Sequence, residues 1–279
     1  MQTGRKLLLD VGGTFIKGAV FDTASRSFLS EFEVGIDSDG SADSICSSLR
    51  VAFARGGEVS CLAVAIPGPF DFGSGIFRMK HKFASVYGLS FREILGVDIP
   101  MTFIHDVNCV LRGELAVGAA RGYDNVALVT LGTGLGFTLS RGGEILVAPS
   151  GSPAVGIYNL PYRDGILEDY VSKRGLLRLY GELGGDAKDL TVKDMADAAY
   201  SGDALSASVF ARAGEILCGA VEGLLCEYGT ECLLLGGQIS RSFSLFEPAL
   251  QPLPDRVPSL KRIARVSDIS RACFNGLSV

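Results

Sequence analysis

The first third of the chain alternates short apolar runs with glycine-rich or polar turns. Three apolar runs, each of the length of a hairpin arm, follow one another with turns at Gly12-Gly13 and at 22–25, which predicts an antiparallel meander. The predicted strands are 6–11, 15–22 and 27–36.

A helix and two buried-type strands complete this first pattern. They are predicted as a helix at 41–56, a strand at 61–66 that ends at a Pro-Gly-Pro turn, and a strand at 102–105. The last strand runs directly into a helix that begins near Asp106, and a basic last turn followed by Gly122 predicts its end.

After residue 124 the same plan begins again. The stretch NVALVTLGTGLGFTLSRGGEILVA predicts strand, glycine turn, strand, Gly-Gly turn and strand, which echoes the N-terminal meander. Residues 149–166 come nearest to an extended loop, and long ordered loops are often binding elements. The remaining predicted elements are helices at 164–181, 192–200, 204–228 and 240–250, a strand at 232–235, and a weak strand and helix at the end.

Two α/β domains, each opened by a β-meander, summarise this pattern. We expect the N-terminal domain to cover residues 1–106 and the C-terminal domain residues 107–266. A C-terminal helix at about 267–279 could pack back on the first domain.

Composition and charge exclude several classes of protein. The 279 residues are 47% hydrophobic, yet no apolar run approaches the roughly 20 residues of a membrane span, and no signal-peptide pattern is present. A net charge of −5 without a long basic cluster disfavours nucleic acid as the partner. The seven cysteines are scattered without a CxxC pair, which favours reduced thiols over disulfides or structural zinc. We therefore expect a cytoplasmic globular protein.

Two glycine turns are candidates for binding phosphate. The segments Asp10-Val-Gly-Gly-Thr14 and Leu131-Gly-Thr-Gly-Leu-Gly136 offer backbone N–H groups and a threonine hydroxyl to a negatively charged ligand. Neither is a Walker A loop, and neither precedes a helix as a dinucleotide fingerprint requires. Each alone is equally explained as a plain hairpin turn, whereas the matched pair favours a polyphosphate.

Two aspartates end predicted strands. Asp106 follows strand 102–105 at the start of a helix, where α/β sheets place ligands, and a carboxylate there could accept a proton from an attacking hydroxyl. The alternative is that Asp106 only caps its helix. Asp10 admits three interpretations: a catalytic base, a carboxylate that orients a metal, or a polar residue that closes the turn.

A third glycine turn lies near the C-terminus. The segment LLLGGQIS, residues 233–240, predicts a strand that ends at Gly236-Gly237 and is followed by a helix. Such a turn could let a purine or its ribose approach the backbone, although taken alone it is more simply explained as a plain strand–turn–helix connection.

Taken together, these motifs resemble the ROK family of sugar kinases, in the actin/hexokinase/Hsp70 ATPase superfamily. The order and approximate spacing match over nearly the whole chain. The resemblance implies two ribonuclease-H-like domains around a central cleft, ATP with Mg²⁺, and phosphoryl transfer to a sugar hydroxyl. It also implies a homodimer. The matching segments are Asp10-x-Gly-Gly-Thr14, Pro67-Gly-Pro69, His105-Asp106-x-Asn108 with Glu114, Leu131-Gly-Thr-Gly-x-Gly136 and Leu235-Gly-Gly237.

The resemblance also implies roles for individual residues. Asp106 matches the catalytic base, and Asp10 matches the carboxylate that orients hydrated magnesium. Glu168 looks like the family glutamate that reaches a sugar hydroxyl. The two phosphate loops and the adenosine-side turn correspond to Gly12, Gly13 and Thr14, to Gly132, Thr133, Gly134 and Gly136, and to Gly236 and Gly237. The candidate sugar contacts are Gly68, His81, His105, Asn108 and Glu168.

The chain departs from the family pattern at the expected sugar site. Most members carry a Gly-Glu-x-Gly-His stretch and a cysteine-rich zinc motif after the second phosphate loop, and this sequence has neither, so zinc is not expected. His105 stands where the family usually has asparagine. His105 and His81, the only two histidines of the chain, could contact sugar or be ordinary structural residues. Lys80 and Lys82, beside His81, could form a solvated loop or meet an anionic substituent.

The sequence therefore favours an ATP-dependent kinase of a hexose or hexose derivative. The alternative is a sugar-responsive regulator without catalysis, because ROK-type domains also occur in repressors. Those repressors carry an N-terminal helix-turn-helix, whereas the first strand here is predicted within about six residues of Met1. DNA binding by this chain is therefore not expected.

Overall fold

A five-stranded mixed sheet occurs twice along the chain, once in each of two compact units of this computed structural model. Unit 1 contains residues up to 116 together with 147–153 and 270–279, and unit 2 contains 117–146 and 154–269. The structure describes residues 4–279, so the first three residues of the predicted N-terminal domain lie outside it. Each unit combines a sheet with helices, which confirms the predicted α/β class.

Unit 1 is built around the predicted meander. The sheet order is β3-β2-β1-β4-β7, in which the first three strands are antiparallel and β4 and β7 run parallel to β1. Its strands are β1 (Arg5–Val11), β2 (Phe15–Asp22), β3 (Ser27–Gly35), β4 (Cys61–Ile66), β5 (Phe70–Asp71), β6 (Ile76–Phe77) and β7 (Met101–His105). Its first helices are α1 (Ala42–Arg55), α2 (Phe91–Leu95) and α3 (Asp106–Val117).

Both faces of this sheet are covered. Leu7, Leu8 and Leu9 are successive residues of β1, and all three are buried. Since adjacent side chains of a strand point to opposite faces, both faces must be covered. On one face, a cluster of phenylalanines packs against α1 and α2, and in it Phe77 stacks on Phe91 with ring centroids 5.3 Å apart. The parallel strands β1, β4 and β7 therefore bring their carboxyl ends to one edge of a well-packed sheet.

Helix α3 begins where the sequence predicts and ends five residues earlier than Gly122. Beyond Val117 the backbone forms turns, with Arg121 N–H donating to Gly118 O at 3.2 Å, and Gly122 has φ 88°, outside the helical region. Residues of α3 up to Ala116 belong to unit 1, whereas the sequence placed the domain boundary at 106–107.

Unit 2 repeats the topology of unit 1. Its sheet order is β10-β9-β8-β13-β14, with an antiparallel meander followed by two parallel strands, so the predicted echo is confirmed. The strands are β8 (Val126–Leu131), β9 (Leu135–Arg141), β10 (Glu144–Ile145), β11 (Pro161–Tyr162), β12 (Gly165–Ile166), β13 (Cys232–Gly236) and β14 (Arg262–Arg265). The helices are α4 (Glu168–Val171), α5 (Lys173–Glu182), α6 (Val192–Tyr200), α7 (Ala204–Glu227), α8 (Phe243–Leu250) and α9 (Leu253–Arg256).

The single helix predicted at 164–181 is wrong. A short hairpin, β11–β12, precedes two helices that meet at Ser172, whose backbone is extended with φ −90° and ψ −178°. The corner is tight, since a Cβ atom on Gly175 would lie 2.3 Å from the carbonyl carbon of Tyr170. The helix predicted at 240–250 begins at Phe243, after a 3₁₀ turn at Gln238–Ser242.

The C-terminal helix α10 (Ala272–Ser278) packs within unit 1. Its Cys273, Phe274 and Leu277 join a buried cluster with Leu8 of β1. Helices α10 and α3 approach closely because each of them presents a glycine to the backbone of the other. A Cβ atom on Gly113 would lie 2.6 Å from Ala272 O.

We predict that Gly113→Ala lowers the free energy of unfolding by about 1–3 kcal/mol, because the added methyl group overpacks this contact. Gly223→Ala is the matched control: it also lies inside a helix, and apart from the backbone of that helix no atom lies within 4 Å of the position of its Cβ. In an exposed helix, alanine should leave stability unchanged or raise it by up to about 1 kcal/mol. Urea unfolding measures both variants, and equal effects would contradict the close packing of α3 on α10.

None of the helices between residues 4 and 279 is both long and apolar enough to cross a membrane.

Candidate functional site

The carboxyl ends of β1, β4 and β7 gather several predicted site residues in unit 1. Asp10 of β1 pairs with Ala65 of β4, and His105 of β7 pairs with Ile66 of the same strand. One strand separates them, so their backbones lie about 10 Å apart at strand spacings of 4.7–4.9 Å. Asp106 follows His105 directly. The sheet therefore places both aspartates at one edge.

Asp10 is a half-buried carboxylate near other charges. Burial and, to a smaller extent, the negative charge of Asp106 raise the pKa of Asp10 to about 6, although Lys17 and a contact with the Cys273 thiol lower it. Lys17 is the register partner of Asp10 on β2. The effect of Asp106 on Asp10 shows that the two carboxylates interact electrostatically, and a cation near Asp10 would relieve their repulsion.

The first glycine turn follows Asp10 and is stabilised by backbone hydrogen bonds. Gly12 N–H donates to Phe15 O at 3.0 Å, and Gly13 O accepts from Ser38 N–H at 2.9 Å. Thr14 is exposed. The buried Ser38 therefore holds the turn on one side, and the side chain of Thr14 remains accessible to a ligand.

Asp106 has an accessible side chain, and its neighbours favour the charged form of its carboxylate. Its side chain is 39% exposed, its Oδ1 lies 2.9 Å from His105 Nδ1, and the same oxygen accepts from Val107 N–H at 2.8 Å. Burial raises the pKa of Asp106, but the contacts with His105 and Val107 N–H and the charge of Lys82 outweigh it and hold the pKa below its usual value. The carboxylate is therefore ionised at neutral pH and can accept a hydrogen bond from a hydroxyl group.

The side chains of the basic segment around His81 differ in exposure and in what they face. His81 is exposed between Lys80 and Lys82, and the Lys80 ammonium lies 5.6 Å from the Tyr87 ring centroid. Lys82 is half-buried, and its charge acts on Asp106. Sequence reasoning assigned His81 to the site and left Lys82 open, because alternating charges in a loop carry no periodicity that shows which of them faces the site.

Residues 147–153 return to unit 1 beside His105, which sequence reasoning missed. A Cβ atom on Gly68 would lie 3.3 Å from Ser152 Oγ and 3.4 Å from His105 Nε2, so these side chains meet over Gly68. The Phe72 ring centroid lies 5.8 Å from that of His105. The small residues of the 149–166 loop indicated that this loop could pack closely against another element, but the sequence did not show which strand it would reach.

Asn108 faces the protein interior. It is 2% exposed, and its Nδ2 donates to Gly151 O at 3.4 Å. It therefore supports the segment that carries Ser152. Its predicted contact with sugar stays a prediction.

In unit 2, the second glycine turn and the Gly236-Gly237 turn are neighbours. They follow the parallel strands β8 and β13, which pair Thr130 with Gly236. Gly237 has φ 80°, and a Cβ atom there would lie 2.3 Å from Leu131 O, so only glycine fits. The residues predicted as the second phosphate loop and the adenosine-side turn therefore lie side by side.

Two backbone contacts shape the second turn, in which Thr133 and Gly134 are exposed and Gly136 already belongs to β9. Gly132 N–H donates to Gly134 O at 3.0 Å, and Gly132 O accepts from Lys173 N–H at 2.8 Å. Glu168 also reaches this turn, with its Oε2 accepting from Leu135 N–H at 2.9 Å. The structure thus places Glu168 against the second glycine turn.

The residues around Asp10 fit a magnesium ion that keeps most of its water ligands. Mg²⁺ usually keeps several water ligands and binds through one or two carboxylates and substrate phosphates. Asp10, with a pKa raised by burial and a neighbouring carboxylate, offers such a contact beside a glycine turn. Among residues 4–279, no group of three or more His, Cys, Asp or Glu side chains is arranged to hold a metal ion.

A family model and a curated relative both match most of this chain. A sequence model of the ROK family matches residues 7–266. A glucokinase of Thermotoga maritima is 26% identical over 227 residues, which cover 72% of this chain and 71% of the relative.

Two solved structures superpose over nearly the entire chain. The structure of a ROK family glucokinase from Streptomyces griseus in complex with glucose and AMPPNP has a TM-score of 0.82 at 20% identity, and covers 99% of this chain and 98% of that one. A ROK family transcriptional regulator, a homologue of the E. coli MLC protein, has a TM-score of 0.81 at 18% identity, and the match covers 98% of this chain and 76% of the regulator. At these identities the comparison establishes the fold alone, and it confirms the predicted fold class of two α/β units.

Proposed function

The chain belongs to the ROK family, and from this premise we propose that it is an ATP-dependent kinase that phosphorylates a hydroxyl group of a hexose or hexose derivative. The relative with an assigned sugar-kinase name supports this class of reaction. The acceptor is a small-molecule sugar, and neither nucleic acid nor a membrane is part of the proposal.

One observation carries the proposal. Asp10 and Asp106 stand at one edge of the unit 1 sheet, close enough that the charge of Asp106 raises the pKa of Asp10. Phosphoryl transfer needs one carboxylate to meet the attacking hydroxyl and another to hold the metal that accompanies the phosphates. A pair of interacting carboxylates beside a glycine turn supplies both.

Asp106 is the proposed general base. Its exposed, ionised carboxylate accepts the proton of the sugar hydroxyl as that oxygen bonds to the transferred phosphorus and the bond to the ADP oxygen breaks. His105 and Lys82 hold Asp106 in its charged form. Because such transition states are loose, Asp106 first orients the hydroxyl and takes up its proton late, when the bond to phosphorus has made the hydroxyl acidic, so a lowered pKa is sufficient.

The remaining proposed contacts are with nucleotide and metal. Asp10 would hold magnesium through water, and the two glycine turns would bind phosphate through backbone N–H groups. When bound, magnesium offsets part of the phosphate charge. Gly237, beside the second turn, would allow close approach of the adenosine. For unit 1, we propose that Gly68, His105 and His81 contact the sugar.

A sugar-responsive regulator without catalysis is the second candidate. The superposition with a transcriptional regulator over 98% of this chain supports it. So does the absence from the sequence of the Gly-Glu-x-Gly-His stretch. The retained Asp10 and Asp106 favour the kinase.

Coupled ADP release against a panel of hexoses and amino- and acetamido-hexoses tests the proposal. We expect magnesium-dependent turnover with at least one sugar, and none without sugar. Calorimetry with Mg-ADP gives the second measurement. Nucleotide binding without turnover on any sugar would support the regulator and contradict the kinase.

On the same family premise, we propose that the protein works as a homodimer in the cytoplasm. Size-exclusion chromatography with light scattering measures the oligomeric state, and a monomer at micromolar concentration would contradict this part of the proposal.

A further inference from the structure

The second glycine turn, residues 132–136, is held from the corner where α4 meets α5. Lys173 N–H, at the start of α5, donates to Gly132 O at 2.8 Å. Glu168 Oε2, at the start of α4, accepts from Leu135 N–H at 2.9 Å. The two contacts bind the turn near both of its ends, so the position of this corner fixes the conformation of the turn.

Both oxygens of Glu168 have partners within unit 2. Oε1 accepts from the Arg174 guanidinium at 2.8 Å, and the same guanidinium nitrogen lies 2.9 Å from Asp169 Oδ1. A Cβ atom on Gly134 would lie 2.9 Å from Oε2, so the carboxylate rests directly on the turn. The Glu168 side chain is 21% exposed, against 60% for Arg174. Glu168 is therefore anchored, with its charge balanced by Arg174.

The corner itself is fixed to the rest of unit 2. Tyr170, next to the α4–α5 junction, is fully buried, and its hydroxyl donates to Asp164 of the β11–β12 hairpin. Arg178 donates to both oxygens of Asp164 at 2.8 and 2.9 Å and lies 4.3 Å above the Tyr170 ring. The contacts of Glu168 with the turn are thus supported by a rigid corner.

We propose that Glu168 is a positioning residue for the second glycine turn, which it holds ready for a nucleotide phosphate, and that Arg174 balances its charge there; the proposal rests on the proposed kinase function. A turn that binds phosphate through backbone N–H groups must be ordered before the ligand arrives. A carboxylate next to such a turn would also repel the phosphate unless a cation paired with it. This role differs from the sugar contact that the family resemblance implies for Glu168.

The two roles differ in which Michaelis constant changes. We expect Glu168→Ala to raise the KM for ATP by roughly ten- to a hundredfold, the cost of one hydrogen bond to a charged group, with the KM for sugar changed by less than about threefold. Glu168→Gln keeps an oxygen that can accept from Leu135 N–H, so its effect should be smaller than that of Glu168→Ala. Arg174→Met should raise the KM for ATP by about three- to tenfold, since it leaves the carboxylate charge uncompensated near phosphate.

Arg212→Met is the matched control. Arg212 is also an exposed arginine of unit 2 and pairs with Glu215 at 2.8 Å, but the pair lies on α7. We expect both of its Michaelis constants to match the wild type, because exposed ion pairs contribute little.

Hydrogen–deuterium exchange without nucleotide tests the positioning role independently of catalysis. Peptides covering 131–137 should exchange faster in Glu168→Ala than in wild type, and Arg212→Met should leave their exchange unchanged. Unchanged exchange in Glu168→Ala, or a rise in the KM for sugar alone, would overturn the positioning role. Failure of the proposed function is distinguishable, because the wild type would then release no ADP with any sugar, whatever the exchange of 131–137.

Discussion

Replacing Asp106 with asparagine should reduce kcat for sugar phosphorylation by about 10³-fold, within the 10²–10⁴ that a positioned general base contributes. The amide has almost the same shape, and its oxygen can accept hydrogen bonds, but it cannot take up the proton of the sugar hydroxyl. Sugar affinity should stay within about threefold of wild type, because the carboxylate's proton uptake matters in the transition state more than in the ground state. Coupled ADP release gives kcat, and calorimetry gives the sugar dissociation constant.

Asp203→Asn is the matched control for the alternative in which Asp106 only caps a helix. Asp203 precedes α7, and its side chain accepts from Ser206 N–H at 2.7 Å, the usual contact of a capping residue. Asp106 instead accepts from the adjacent Val107 N–H. Asparagine caps helices as well as aspartate does, so Asp203→Asn should be fully active. Near wild-type turnover in Asp106→Asn would show that Asp106 is structural and that another group accepts the proton.

The position of Asp106 could be predicted because local signals agree there. A strand of five residues runs directly into a helix, and the carboxyl ends of parallel strands are where α/β folds place ligands. The two meanders were predictable for a similar reason, since glycine pairs between apolar runs indicate hairpins. The repeat of that pattern after residue 124 then predicted the second sheet.

The contacts of Glu168 could not be predicted, because they join residues that are distant in sequence. Leu135 lies 33 residues before Glu168. Arg174 meets Glu168 only because the chain bends at Ser172, and the periodicity of 164–181 gave no sign of that bend. Ser152 likewise reaches His105 because residues 147–153 return to unit 1. Side-chain patterns indicate elements, whereas such meetings depend on how the elements pack.

The burial of Asp10 and its repulsion by Asp106 lead to a prediction about stability. The pKa of Asp10 is about 6 in the folded protein, above its ordinary value of 3.8. For a carboxyl group with a raised pKa, the stabilising contribution of the protonated form is fully present below the unfolded pKa and is lost as pH rises through the folded pKa. Between about pH 4 and 6 the metal-free protein should therefore lose about 1–3 kcal/mol of stability through this one group, at 1.36 kcal/mol for each pKa unit.

Asp10→Asn should accordingly make the metal-free protein more stable and the enzyme much less active. An uncharged amide has no ionisation to oppose, so at pH 7.5 the variant should unfold at higher urea concentration than wild type, and at pH 4 the difference should disappear. Turnover should fall by roughly 10²–10³-fold, the usual cost of losing one preorganised electrostatic contact, and more magnesium should be needed for half-maximal rate.

Asp22→Asn separates this effect from a general loss of negative charge. Asp22 is a half-buried aspartate at the end of β2, and the backbone and side chain of Ser25 lower its pKa, so its removal should not stabilise the protein at pH 7.5. Its turnover and magnesium dependence should equal those of wild type, since Asp22 lies at the opposite end of β2 from the first glycine turn. If Asp10→Asn kept the wild-type magnesium dependence, Asp10 would not hold the metal. If its stability at pH 7.5 did not rise, the burial of Asp10 and its repulsion by Asp106 would together cost too little to matter. The two measurements are independent, because urea unfolding without metal reports the charge of Asp10 in the sheet, and the magnesium titration reports what that charge does for phosphoryl transfer.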